Sequence, residues 1–326
     1  MPSHTSNHKK GTQMVRYILA TTLLTASLAL AQQEGPAPTQ ALVAIDSKAP
    51  AALTTNNVSL KINNKATPIT SIARVTPSGA QVAILIDDGL RTSVGSQLGD
   101  LRNFITSLPA GTEVFVGYMQ NGRVVPAQAF TTDFAAAAGS LRIPLGSPGV
   151  SSSPYFALSD FAKRWPSSSE SVASDNQQST PKARFVLMIT NGVDPYNGST
   201  SITNQNSTYV SAAITDAQRV GAAVYSIYYS EAGIRGGRAS FSGQSYLTQA
   251  ADATGAIAYY QGMGNPVSMA PFLQQFKSAI AETYVATFTA PGNKDFVPIK
   301  FSTNLPKTKV HSANQVRPGT RLAAQP

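Results

Sequence analysis

The stretch ILIDDGLRT (residues 84–92) ends an apolar run on two adjacent acids, Asp87 and Asp88, followed by a glycine and by Arg91. Carboxylates where a buried strand runs out can hold a hard cation, which wants oxygen ligands, or a polar ligand. An arginine in the same turn works against a cation, because its charge is permanent. At ~4 Å a unit charge repels a divalent ion by several kcal/mol even at an effective dielectric of about 20. Three readings stay open. The acids cap the next helix or satisfy loop N–H groups; they form a ligand face in which Arg91 pairs with Asp87 or Asp88 in place of a metal; or they hold a working metal site.

Other groups that could do chemistry are few. The chain has no cysteine, which excludes disulfides, thiolate nucleophiles and cysteine-based zinc sites. Past the first few residues the only histidine is His311, near the carboxyl terminus, so a Ser-His-Asp arrangement would require it to fold back over the chain. SFSGQS (residues 240–245) lacks the G-x-S-x-G spacing of a nucleophile elbow. GIRGGR (residues 233–238) has neither dinucleotide-binding nor P-loop spacing and reads as a surface loop. The expectation is a protein that is not an enzyme, with a hydrolase of unknown type as a distant alternative.

The elements that must position Asp87 alternate between strand and helix. SVGSQLGDLRNFITSL (residues 93–108) places Val94, Leu98, Leu101, Phe104, Ile105 and Leu108 on one helical face behind a Thr92 or Ser93 cap. TEVFVGYM and GRVVPAQAF read as strands of a hairpin turning at Gln120-Asn121-Gly122. SPYFALSDFAKRW is helical, and ARFVLMIT is the continuous apolar strand expected when helices cover both sheet faces. TYVSAAITDAQRVG, AAVYSIYY, SYLTQAADATG, AIAYYQG and SMAPFLQQFKSAIAETY continue the alternation. The order predicts an α/β domain with a doubly wound, mainly parallel sheet and one antiparallel edge strand, over residues 79–283. Asp87, Asn191 and Ser230 then share the face outside the carboxyl ends of the strands, where such sheets bind ligands.

The flanks do not alternate. Residues 32–78 read as short strands, and residues 284–326 as a hairpin, turning at Pro291-Gly292-Asn293, followed by a basic tail. An isolated hairpin is marginal in water, so the two flanks are expected to pair into one small β module. Residues 166–182 are serine-rich and aperiodic, as a loop is.

With 326 residues, 42% hydrophobic and 13% charged, the chain can bury a core. Its first 31 residues resemble an export signal: Lys9, Lys10 and Arg16, then the apolar run YILATTLLTASLALA, with Ala29 and Ala31 as the small residues of a cleavage site. A secreted or periplasmic location follows, with cleavage near Ala31 and either Met1 or Met14 as the start. Loss of those three cations takes the formal net charge from +9 to +6. The excess lies in Lys294, Lys300, Lys307, Lys309, Arg317 and Arg321, a solvated tail without aromatic interleaving. That pattern disfavours nucleic acid and leaves contact with an anionic envelope surface open.

VAILIDDG, then GVSSSPYFAL before a helix, then FVLMITNG give the chain a resemblance to von Willebrand factor type A (vWA) domains. It looks most like the vWA-related domains of Acidobacteria, with KINNKATPITSIARV in the preceding β segment. The resemblance implies a Rossmann-like fold and a metal-ion-dependent adhesion site built from D-x-S-x-S, a threonine and a further aspartate. Asp87 matches the first aspartate, whereas Gly89 and Arg91 stand where the serines belong. Ser152 is the best match for the threonine, and Asn191 replaces the last aspartate. Two hydroxyls and one carboxylate are thereby lost. The expectation is a degenerate site without a cofactor, on a module that binds another protein through Asp87, Asp88, Arg91, Ser152 and Asn191. The alternative is a magnesium- or manganese-dependent adhesion domain with a weakened site.

Overall fold

The computed structural model describes residues 35–48, 52–147, 150–166, 181–197, 205–230, 236–262 and 264–323. The expected export segment and its cleavage site lie outside them, as does most of the serine-rich stretch, residues 167–180.

The chain opens with strands β1 (Ala37–Ser47), β2 (Val58–Ile62), β3 (Lys65–Thr67) and β4 (Ile69–Arg74). The α/β part follows: β5 (Ala80–Asp87), helix α1 (Leu98–Thr106), the hairpin β6 (Glu113–Gln120) and β7 (Arg123–Thr131), α2 (Phe134–Gly139), α3 (Pro154–Lys163), β8 (Ala183–Thr190), α4 (Thr208–Arg219), β9 (Ala222–Tyr228), α5 (Gly236–Thr254), β10 (Ala258–Tyr259) and α6 (Ala270–Ala281). Strands β11 (Thr283–Ala290), β12 (Val297–Thr303), β13 (Thr308–Ser312) and β14 (Gln315–Val316) close the chain.

The central sheet runs β10-β9-β8-β5-β6-β7, parallel except for edge strand β7, as the alternation predicts. Every residue of β5 is buried. Because side chains alternate across a strand, Val82, Ile84 and Ile86 pack with Leu101 and Ile105 of α1 and Leu273 and Phe276 of α6. Ala83 and Leu85 pack on the other face with Tyr155 and Leu158 of α3 and Val210 and Ala213 of α4. The hairpin turns where expected, with Asn121 and Gly122 both at positive φ (47° and 72°), the geometry of a two-residue type I′ turn.

Two local expectations change. The Thr92 or Ser93 cap is absent: the chain enters α1 through a 3-10 turn, Thr92–Gln97, with no side-chain cap. Helix α5 starts at Gly236, so Gly236-Gly237-Arg238 of the expected loop are helical, and residues 233–235 lie outside the described ones.

The two chain ends form a β-sandwich of sheets β13-β1-β11-β4 and β14-β12-β2-β3. Val43, Ile45, Leu60, Ile62, Phe288, Ile299 and Phe301 meet between the sheets, and the Phe288 and Phe301 rings pack edge-on at 6.1 Å. The expected β11–β12 hairpin does not form. One edge of β11 is taken by β1 over Ala37↔Ala290 to Ala44↔Thr283, and the other by β4, so β12 pairs with β2 in the opposite sheet. Nor is the basic end a free tail. β13 pairs with β1, and Gln40 Oε1 accepts from the backbone N–H of Leu322 (2.6 Å) and Ala323 (3.0 Å), seating Leu322 in the α/β core.

Candidate functional site

Strand β5 delivers Asp87 and Asp88 to the carboxyl end of the sheet, and β8 delivers Thr190 and Asn191 beside them, since β5 and β8 pair in register up to Ile86↔Ile189. Both acids are buried, at 2% and 0% exposure, yet their surroundings differ.

Asp87 is held by neutral donors. Its Oδ2 accepts from Thr190 Oγ1 at 2.7 Å, its Oδ1 from the Gly89 N–H at 2.9 Å, and the Ser151 hydroxyl adds a third bond. Burial pushes its carboxyl above the ordinary carboxylate range; the three donors oppose that shift, and the charge of Asp88 adds to it.

Asp88 is held by a cation. Arg142 donates to both carboxylate oxygens, at 2.7 and 2.8 Å, the bidentate geometry that favours arginine over lysine. The Leu145 N–H donates at 2.9 Å and Gln120 Nε2 adds a further bond. Burial alone would raise this carboxyl, but the Arg142, Leu145 and Gln120 bonds outweigh it and hold the group below its ordinary value. Arg142 is itself fixed: its guanidinium lies 3.8 Å from the centroid of the Tyr118 ring, and its backbone N–H donates to the Tyr118 hydroxyl at 2.6 Å. The Gly146 N–H closes the loop onto the Asp88 carbonyl at 3.1 Å.

The five residues singled out from the sequence are thus only partly assembled. Asp87 and Asp88 sit together. Arg91 is exposed, and the guanidinium on Asp88 is that of Arg142, 54 residues further on. Ser152 is turned away: it adopts a left-handed φ of 62° and donates to the Tyr196 hydroxyl at 2.9 Å, so Ser151 is the hydroxyl at Asp87. Asn191 lies at the end of β8, where its Oδ1 accepts from the Val193 N–H at 2.9 Å. A Cβ on Gly89 would come within 3.2 Å of Asp87 Oδ1 and 3.5 Å of Ser151 Oγ, so the loop closes directly over the acid. At Gly243 a Cβ would meet the Asn191 carbonyl oxygen at 2.1 Å, and only glycine lets α5 dock on that loop.

Arg142, Gln120, Ser151 and Thr190 were missed. Thr190 carried a signal, as the polar last residue of an apolar strand next to Asn191. Arg142 carried none, because its loop has no period and lies far from Asp88 in sequence.

Around the acids the surface is apolar and aromatic. Ile143 and Leu145, flanking the Arg142 loop, are 52% and 60% exposed. Phe156 packs against the exposed rings of Tyr196 and Tyr209 at 5.1 and 4.8 Å.

The parts considered for catalysis do not converge here. His311 lies in β13, paired in register with Ala44 in the sandwich. Ser240, Ser242 and Ser245 all fall within α5 rather than on a strand-turn-helix elbow.

No protein-family model matches the chain, and no curated protein does. Among solved structures it is similar to a von Willebrand factor type A protein from Catenulispora acidiphila, at 12% identity and a TM-score of 0.42 over 88% of this chain and 75% of that one. It is also similar to the SpRpn10 VWA domain, at 10% identity and a TM-score of 0.38 over 62% of this chain and 97% of that one. Proximal thread matrix protein 1 from the mussel byssus matches at 14% identity and a TM-score of 0.40, over 64% of this chain and about half, 49%, of its own length. At such identities and TM-scores no ligand or partner carries over from these proteins.

Proposed function

We propose that the chain is an exported, non-catalytic vWA-like module that binds another protein through the loops at the carboxyl ends of its parallel strands, with a degenerate metal position. The observation that carries this reading is the bidentate Arg142–Asp88 pair, in which a guanidinium engages both oxygens of one of the two acids. The remaining oxygens do not fit a resident divalent ion. Both oxygens of Asp87 already accept from protein donors, Asn191 Oδ1 accepts from Val193, and both oxygens of Asp88 are engaged by Arg142. The apolar rim of Ile143, Leu145 and Tyr196 suits a protein partner, because exposed apolar groups grouped around a polar centre mark interaction surfaces.

Two measurements test the reading. Thermal melts in millimolar magnesium or manganese, against chelator, are expected to coincide; an ion at 100-fold its dissociation constant would add ~2.7 kcal/mol, easily seen. Clear stabilisation would establish the metal-dependent adhesion domain instead. A photo-crosslinking residue at Leu145 is expected to give a protein adduct in envelope extract, whereas one at exposed Lys65 in the sandwich is not. Equal labelling from both positions would reject the proposed face.

A further inference from the structure

Away from the acids, helix α5 borders an open cleft of about 450 Å³ lined by polar residue types and one tyrosine. Gln244, Ser245, Thr248, Gln249 and Asp252 reach it from the helix at spacings that share one face, while Gln205 and Tyr260 reach it from the segments leading to α4 and leaving β10. The size falls within the range of about 300–1,000 Å³ typical of small-molecule sites.

The chemistry of this lining is selective. Among the described lining residues there is no lysine, arginine or histidine, and Asp252 brings a carboxylate, which disfavours an anion. Gln249 Nε2 donates to the Gln205 carbonyl at 2.9 Å and to Ser245 Oγ at 3.1 Å, which uses both amide hydrogens. Gln244 Nε2 donates to the Gly262 carbonyl at 2.6 Å. These bonds orient the two amides, with both hydrogens of Gln249 and one of Gln244 used within the protein, and leave their Oε1 atoms as acceptors. With the Asp252 carboxylate and the Tyr260 hydroxyl, the cleft presents a set of acceptors beside one aromatic ring, Tyr260, which is 46% exposed.

A complementary ligand has several hydroxyl donors, no negative charge, and an apolar face for the ring. We infer that this cleft binds a neutral saccharide, with Tyr260 stacking on the sugar ring and Gln244, Gln249 and Asp252 accepting from its hydroxyls. The site is separate from the face around Asp87, so a module that holds a protein at one surface would hold a glycan at another.

Saturation-transfer NMR on the full chain, followed by titration, tests this with four probes: cellobiose, maltose, N,N′-diacetylchitobiose and the acidic digalacturonate. At least one neutral disaccharide is expected to bind, and digalacturonate to bind more weakly than it does. Tyr260→Ala should weaken that binding by about tenfold, the factor for roughly 1.4 kcal/mol of ring contact. Gln244→Leu, which keeps the side-chain volume, should weaken it several-fold, with both variants melting as the parent does. If either variant is unstable, Asp252→Asn, a change on an exposed residue, replaces it and should also weaken binding. Absence of binding by all the neutral probes, preference for digalacturonate, or binding indifferent to these substitutions would each overturn the inference. None of those results bears on the crosslinking at Leu145.

Discussion

The sandwich and the carboxyl end of the parallel sheet are held by different forces. Between the sandwich sheets the buried side chains are mostly apolar, from Val43 and Ile45 to Phe288 and Phe301. Around Asp87 and Asp88 they are polar, each matched by directed bonds. Apolar burial is non-directional and insensitive to pH, so the sandwich depends on having all its strands, which come from opposite ends of the chain. A buried charge depends on one or two partners, so the acidic site depends on single residues and on pH.

Removing the strands gives the largest expected effect. A chain ending at Thr283 loses β11 to β14, and with them the partners of β1, β2 and β4. Hydrogen exchange is expected to show loss of protection across β2 and β4, while β5 and β8, paired with each other, keep theirs. Unchanged protection in β2 and β4 would mean that the flanks are not one module.

Next in size is Arg142→Ala, which leaves the Asp88 carboxylate buried without its cation. Denaturant melts at neutral pH are expected to show a loss of roughly 3 kcal/mol, as for a buried charge stripped of its partner. The pH dependence should also weaken. In the parent the Asp88 carboxyl lies below its ordinary value, so its contribution is present above that value and is lost as pH falls through the folded one. In the variant the Arg142 contribution is gone while the Leu145 and Gln120 bonds remain, so the loss of stability in acid should be smaller than in the parent. A variant that keeps the parent's acid sensitivity would show that Arg142 does not set this charge.

Asp87 should behave in the opposite sense and more modestly. Its folded value is raised by burial, so its contribution is complete below the ordinary carboxylate value and is lost as pH rises through the folded one. Asp87→Asn removes that titration. It is expected to cost about 1 kcal/mol in acid, the scale of a hydrogen bond made less well, and less than that at neutral pH. A cost that grows toward neutral pH would place a cation at Asp87.

The smallest effect belongs to Arg91→Ser. Arg91 is exposed, and surface changes usually stay within about 0.5 kcal/mol. A loss as large as that of Arg142→Ala would return Arg91 to the centre of the site.

The alternation of the α/β part was legible because a helix or strand with one buried face repeats that burial at its own period. Val94, Leu98, Leu101, Phe104, Ile105 and Leu108 are all buried as their spacing requires. The Asn121-Gly122 turn was legible because few residue pairs tolerate two positive φ values. Period alone could not say which strand each strand would meet. Strand β12 alternates in burial while β11 is buried throughout its first half, and competition for the edges of β11 sent the two to opposite sheets. The same limit governed the site. The sequence by itself determined that two carboxylates end a buried strand among loops sharing one face. Tertiary structure decided which cation meets them and which serine turns inward. Ion pairing follows distance in space, where Arg142 arrives from a far loop, and a single left-handed residue at Ser152 rotates one hydroxyl out and leaves Ser151 on Asp87.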